Sequence, residues 1–304
     1  MRFHLSTVLF IPVFMLLTGC QSISRNSAAA TENNASGSVL PMATAVQINY
    51  QDEVKLLRIN QLIAEQKELT VQQHARLFYE RGLIYDRMGL SAHSRYDFSQ
   101  AINIDPAFAP AYNSLGLYLL LAHSYDDAFE AFDSALELSD KMQYGYLHRA
   151  IGLAQVERYD LASKDIAQFQ ALDKNDPYRL LWRYIIDSNI DKGSALETLK
   201  EARKSYSDNR YIWSVIDVIA GRKTEDTFFA GVFDGVYSNK ELAQRLCESY
   251  FYLAQWHKIS GDLNQAVHYL KLTTATNIHD FIEYKYALMD LASLQAIRKK
   301  NVKK

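Results

Sequence analysis

Gly82, Gly116 and Ala150 stand 34 residues apart, and other positions keep the same interval. Ser94, Ala128 and Ala162 share one register, and Phe98, Phe132 and Ile166 share a second. Ala101 and Ala135 share a third, which Phe169 breaks. A fixed period of this length marks a chain built from one supersecondary unit. Such units bury their apolar faces only by stacking on their neighbours.

Numbered from Ala75, the unit resembles the tetratricopeptide (TPR) repeat, a pair of antiparallel helices. Small residues at repeat positions 8 and 20 let the two helices approach. The large residue at position 24 fills the space between them, and Pro106 stops the second helix. Asp140 replaces that proline in the second repeat, and Pro177 falls three residues late in the third. Three repeats occupy residues 75–176.

The pattern degrades in residues 177–246. Trp182, Ala195, Leu199 and Ala202 indicate one helical hairpin there, and "RYIWSVIDVIAGRKTEDTFFAGVF" a second that turns at Gly221-Arg222-Lys223. Residues 247–298 return to the register, with Ala254, Gly261, Ala266 and Leu270 at positions 8, 15, 20 and 24, followed by an end helix over 281–298. A basic tail, 299–304, closes the chain. Ahead of the repeats, within 49–70, Val54, Leu57, Ile59, Leu62 and Ile63 form the apolar stripe of one more helix. Thr70 and Gln73 form a capping box for the next. The expected fold is all-α, about a dozen helices stacked as an open α-solenoid.

The N-terminus carries a different signal. Arg2 precedes an apolar run from Leu5 to Leu17, too short for a permanent bilayer span. The run ends in Leu17-Thr18-Gly19-Cys20, which resembles the bacterial lipobox. That resemblance implies a signal peptide at 1–19 and lipidation of Cys20, by a diacylglycerol on its thiol and a third acyl chain on the amine freed by cleavage. Two or three chains anchor a protein stably where one does not. Gln21 follows the cysteine, and by the same resemblance favours the outer membrane. Residues 20–48, rich in Ser, Ala and Asn, read as the lipidated cysteine followed by a flexible tether.

Composition excludes several functions. A net charge of −2 offers no footprint for nucleic acid. Two cysteines, Cys20 and Cys247, make no disulfide scaffold. The eight histidines are scattered, and no nucleophile elbow, P-loop or dinucleotide fingerprint occurs. Cys247 lies in the apolar run "RLCESYFYLAQW", where a free cysteine acts as a small hydrophobe. The sequence assigns no catalytic residue, no metal ligand and no cofactor site.

A TPR stack curves, and its first helices line the concave face. The candidate groove residues at those positions are Arg76, Tyr79 and Leu83 from repeat one, Asn113, Leu117 and Leu121 from repeat two, and Tyr144, Leu147 and Ile151 from repeat three. The strip is largely apolar. It can take a helical or apolar segment of a partner, or be filled by the protein itself, for instance by residues 50–66 or by a dimer mate.

Lipobox, tether and repeats in this order, with stretches such as "LFYERGLIYDRMGL", "YDFSQAI", "AFDSALEL" and "NIHDFIEYKYAL", resemble the NlpI family of outer-membrane TPR lipoproteins over essentially the whole chain. The resemblance implies a homodimeric, non-enzymatic adaptor facing the periplasm. Members of that family bind a tail-specific protease and present to it a peptidoglycan endopeptidase of the NlpC type, and so regulate cell-wall turnover. An alternative with the same plan is a lipoprotein subunit of an outer-membrane assembly complex.

Overall fold

Thr70 starts the first repeat through a complete capping box. Its hydroxyl accepts from the Gln73 amide at 3.2 Å, and the Gln73 side chain accepts from the Thr70 amide at 2.9 Å. The structure, a computed structural model, describes residues 40–65 and 69–302. The signal segment, Cys20, the tether up to residue 39 and the last two residues of the basic tail lie outside the described residues.

Fourteen helices and no strand occur among the described residues. Helix α1 (Tyr50–Ala64) precedes the repeats. The three repeats are α2 (Val71–Arg87) with α3 (Ser91–Ile104), α4 (Ala109–Leu121) with α5 (Tyr125–Leu138), and α6 (Gln143–Gln155) with α7 (Tyr159–Ala171). The degenerate hairpins are α8 (Pro177–Asp187) with α9 (Lys192–Ser205), and α10 (Ile212–Ile219) with the short α11 (Glu225–Ala230). The last elements are α12 (Asn239–Ser260), α13 (Leu263–Ala275) and α14 (Ile282–Val302).

The register residues pack as the period requires. Ser94, Phe98, Ala101, Ala128, Phe132, Ala135, Ala150, Ala162 and Ile166 are all buried. Pro177 has a different role from the stop expected of it. It is the first residue of α8, where its fixed φ suits a helix start, and Asp176 caps that helix by accepting from the Arg179 amide at 3.0 Å. An arginine on the first helix also clamps an aspartate on the second in repeats one and three. Arg81 bonds Asp97 twice at 2.7 Å, and Arg149 bonds Asp165 twice at 2.7 Å. Both pairs lie at repeat positions 7 and 23, and the bidentate fork fixes the crossing of the two helices.

Three expectations change. The stack is not open, because α14 folds back from α13 and packs against α4 and α12. The tether does not extend free to residue 48. Residues 40–47 lie along the C-terminal helices, where Thr44 exchanges two 2.8 Å bonds with the Asn239 side chain and the Val46 amide donates to the Thr276 carbonyl at 3.0 Å. Ala43 and Val46 pack there on Ala243, Cys247 and Ile278. The basic tail begins inside a helix, since α14 runs to Val302.

Candidate binding groove

The concave face is occupied along its middle by α14. Four polar side chains hold that helix. The Lys285 ammonium pairs with Asp86 at 3.1 Å, and the Tyr286 hydroxyl meets His148 Nδ1 at 2.7 Å. The Tyr252 hydroxyl donates to Glu283 at 2.8 Å, and Asp290 accepts from Gln255 at 2.7 Å and Lys258 at 2.8 Å. Burial, with the Lys285 charge, lowers the His148 pKa to about 3, so its ring is neutral and one nitrogen is free to accept. The self-segment that fills the groove is therefore α14. The described part of the 50–66 segment does not fill it: α1 packs on α2, where Asp52 pairs with Arg87 at 2.7 Å.

This placement splits the candidate strip. Leu117, Leu147 and Ile151 are buried in the cluster that contains Tyr286 and Met289 of α14. Leu121 faces a smaller cavity beside Leu288 and Met289. Tyr79 is no free anchor, because its ring packs edge-on against Phe108 at 5.2 Å and tilted against Phe98 at 5.6 Å. Leu83 is half-buried, and Arg76 is exposed beside Glu80 at 3.5 Å. Asn113, Tyr144 and Leu147 come together at one end of the groove, where a cavity of about 550 Å³ remains between α4, α6, α8, α12 and the start of α14. Tyr144 is 52% exposed at this cavity, and the Asn113 amide oxygen is buried there without a hydrogen-bond partner.

The rest of the cavity lining was not apparent from the repeat register. Trp182 and Phe169 form apolar wall, and Glu248 and Glu283 supply carboxylates. Glu248 accepts from the Tyr178 hydroxyl at 3.0 Å and from the Tyr211 hydroxyl. Burial, together with the Glu283 charge, raises the Glu248 pKa to about 8, and burial raises that of Glu283 as well. The only hint in the sequence is a glutamate inside each of two aromatic-rich runs, "LCESYFYLAQW" and "DFIEYKYAL". Cys247 is buried, and burial pushes its thiol pKa up, which disfavours the reactive thiolate. Among the described residues no group of three or more His, Cys, Asp or Glu is placed to hold a metal. No described helix is long and apolar enough to cross a membrane.

Paired helices of 34-residue period around an inner groove define a tetratricopeptide-repeat fold. The chain is similar to several solved structures. The apo form of RapI superposes with a TM-score of 0.50 at 12% identity, over 75% of this chain and 98% of that one. A tetratricopeptide repeat protein from Parabacteroides merdae gives 0.48 at 11% identity, over 80% and 94%. Pseudomonas aeruginosa pilF gives 0.42 at 17% identity, over 71% and 97%. No family model matches the chain.

Proposed function

We propose that the protein is a lipid-anchored adaptor that holds partner proteins at the periplasmic face of the outer membrane. On this reading Cys20 carries the lipid. The partners are a tail-specific protease and a peptidoglycan endopeptidase of the NlpC type, as the resemblance to the NlpI family implies. The observation that carries the binding role is the groove itself: a helical-repeat stack whose concave face is sealed by α14 along its middle and open at the Tyr144 cavity. Open cavities of this size with aromatic walls and a few polar groups are where ligands dock.

A homodimer belongs to the same reading. The α1 stripe supports it, because Val54 is 45% and Leu57 71% exposed in the single chain. The test of the adaptor role is capture from detergent-solubilised envelopes with the full-length lipidated protein. Co-purification of a protease together with a cell-wall endopeptidase is the expected result. Recovery of outer-membrane assembly components instead would replace the reading.

A further inference from the structure

The Tyr144 cavity has chemistry beyond shape. Glu248 and Glu283 line it; tyrosine hydroxyls bond both, a backbone amide also bonds Glu283, and among the described residues neither carboxyl group makes an ion pair. Glu283 is 5% exposed. A buried carboxylate without a counter-charge is costly, so both groups hold their protons more tightly than usual, and a cation that enters the cavity favours their ionised forms. The cations nearby are already committed. Arg179 bonds the Phe169 carbonyl and the Gln143 side chain and stacks on the Phe169 ring at 4.2 Å. Arg245 bonds the carbonyls of Val232 at 2.9 Å and Asp234 at 2.7 Å. Lys285 pairs with Asp86 and donates to the His279 carbonyl. At the mouth, Asp173 and Asp280 are exposed and add negative charge.

The walls suit the same kind of guest. Tyr144 presents an exposed ring beside Phe169, at 5.6 Å between centroids, and Trp182 lies deeper in the lining. Aromatic faces attract cations, more strongly where water is excluded. At about 550 Å³ the space admits a whole side chain with its flanking backbone.

We propose that this cavity receives an arginine or lysine side chain of the bound partner, with the aromatic wall against its alkyl stem and Glu248 and Glu283 meeting its charge. The inference rests on the adaptor reading and names the feature the groove selects. Anionic and purely apolar anchors are disfavoured, because five carboxyl groups against one arginine line the cavity, and that arginine directs its donors to the Phe169 carbonyl and the Gln143 side chain.

The test uses the full chain and two blocked tripeptides, Ac-Gly-Arg-Gly-amide and its neutral isostere with citrulline in place of arginine. Isothermal titration should show saturable binding of the arginine peptide and at least tenfold weaker binding of the citrulline peptide. Glu248→Gln keeps an acceptor for the two tyrosines and should weaken the arginine peptide at least fivefold. Circular dichroism checks its fold. Asp280→Asn, at an exposed position on the mouth, gives a second variant that leaves the core untouched and should weaken binding by a smaller factor. Equal binding of the two peptides, no saturable binding of either, or unchanged affinity in a folded Glu248→Gln protein would overturn the proposal. These outcomes are independent of envelope capture: partners recovered without arginine-peptide binding would remove the cation site and leave the adaptor role standing.

Discussion

The Phe132 ring lies on Gly116: its Cε1 is 2.6 Å from the point where a Cβ on that glycine would sit. Phe98 bears the same relation to Gly82 at 2.6 Å. Position 8 of the repeat is therefore small because position 24 is large. Gly116→Ala would gain about 0.5–1 kcal/mol in helix entropy but would force a packed ring to move, at about 1–3 kcal/mol. The second effect is the larger, so the variant should be less stable in urea unfolding. Ala128→Leu, at a position with no exposed surface, should lose about 1–3 kcal/mol in the same way. Unchanged midpoints would mean that the hairpin packing is looser than these distances require.

The seal of α14 over the groove should be measurable at Tyr286. Tyr286→Phe keeps the ring and removes the hydroxyl that meets His148. A buried polar atom left without its partner costs about 1–3 kcal/mol. Leu147→Ala, beneath the same helix, should cost about 2–5 kcal/mol. Hydrogen exchange should show α14 opening more readily in the Tyr286 variant. Unaltered protection there would mean that this contact does not hold the helix.

Glu248 gives a pH dependence of defined sign. Its folded pKa of about 8 lies above the unfolded value of 4.5, so the folded state holds the proton more tightly. The stabilisation is complete below pH 4.5 and is lost as pH rises from there through about 8. Tyr178, Tyr211, Glu283 and Arg245 are the groups that act on it. Thermal melting of the wild type should fall across that window more steeply than melting of Glu248→Gln. Glu283 has its own raised pKa and keeps part of the slope in the variant. Parallel profiles for the two proteins would contradict the shift.

Docking of residues 40–47 depends on Asn239, whose side chain gives and accepts one bond with Thr44. Asn239→Ala should cost about 1 kcal/mol or less for these exposed bonds. It should leave the melting of the repeats nearly unchanged and speed proteolytic cleavage between residues 40 and 48. Equal cleavage rates would show that Ala43, Val46 and the Tyr250 bond to the Pro41 carbonyl suffice.

Anchoring is tested at Cys20. The mature protein should begin with an acylated cysteine by mass spectrometry, and Cys20→Ala should leave the membrane fraction. An outer-membrane Cys20→Ala protein would remove the lipid from the proposed function.

The sequence by itself determined the repeats, because the contacts that define them are local. A small residue and a large one sixteen positions later lie within one hairpin, so a 34-residue period exposes the pairing of Gly82 with Phe98 and Gly116 with Phe132. The cap at Thr70 is legible for the same reason. Only the tertiary structure decided what fills the groove. The buried face of α14 carries Glu283, Lys285 and Asp290, which no hydrophobic pattern marks as interior. They can be buried because Tyr252, Asp86, Gln255 and Lys258 receive them, and Asp86 lies 199 residues from Lys285. The Tyr144 cavity was hidden likewise. Register placed Asn113, Tyr144 and Leu147 on one face, but Glu248 and Glu283 reach that face only when the C-terminal helices fold back over it.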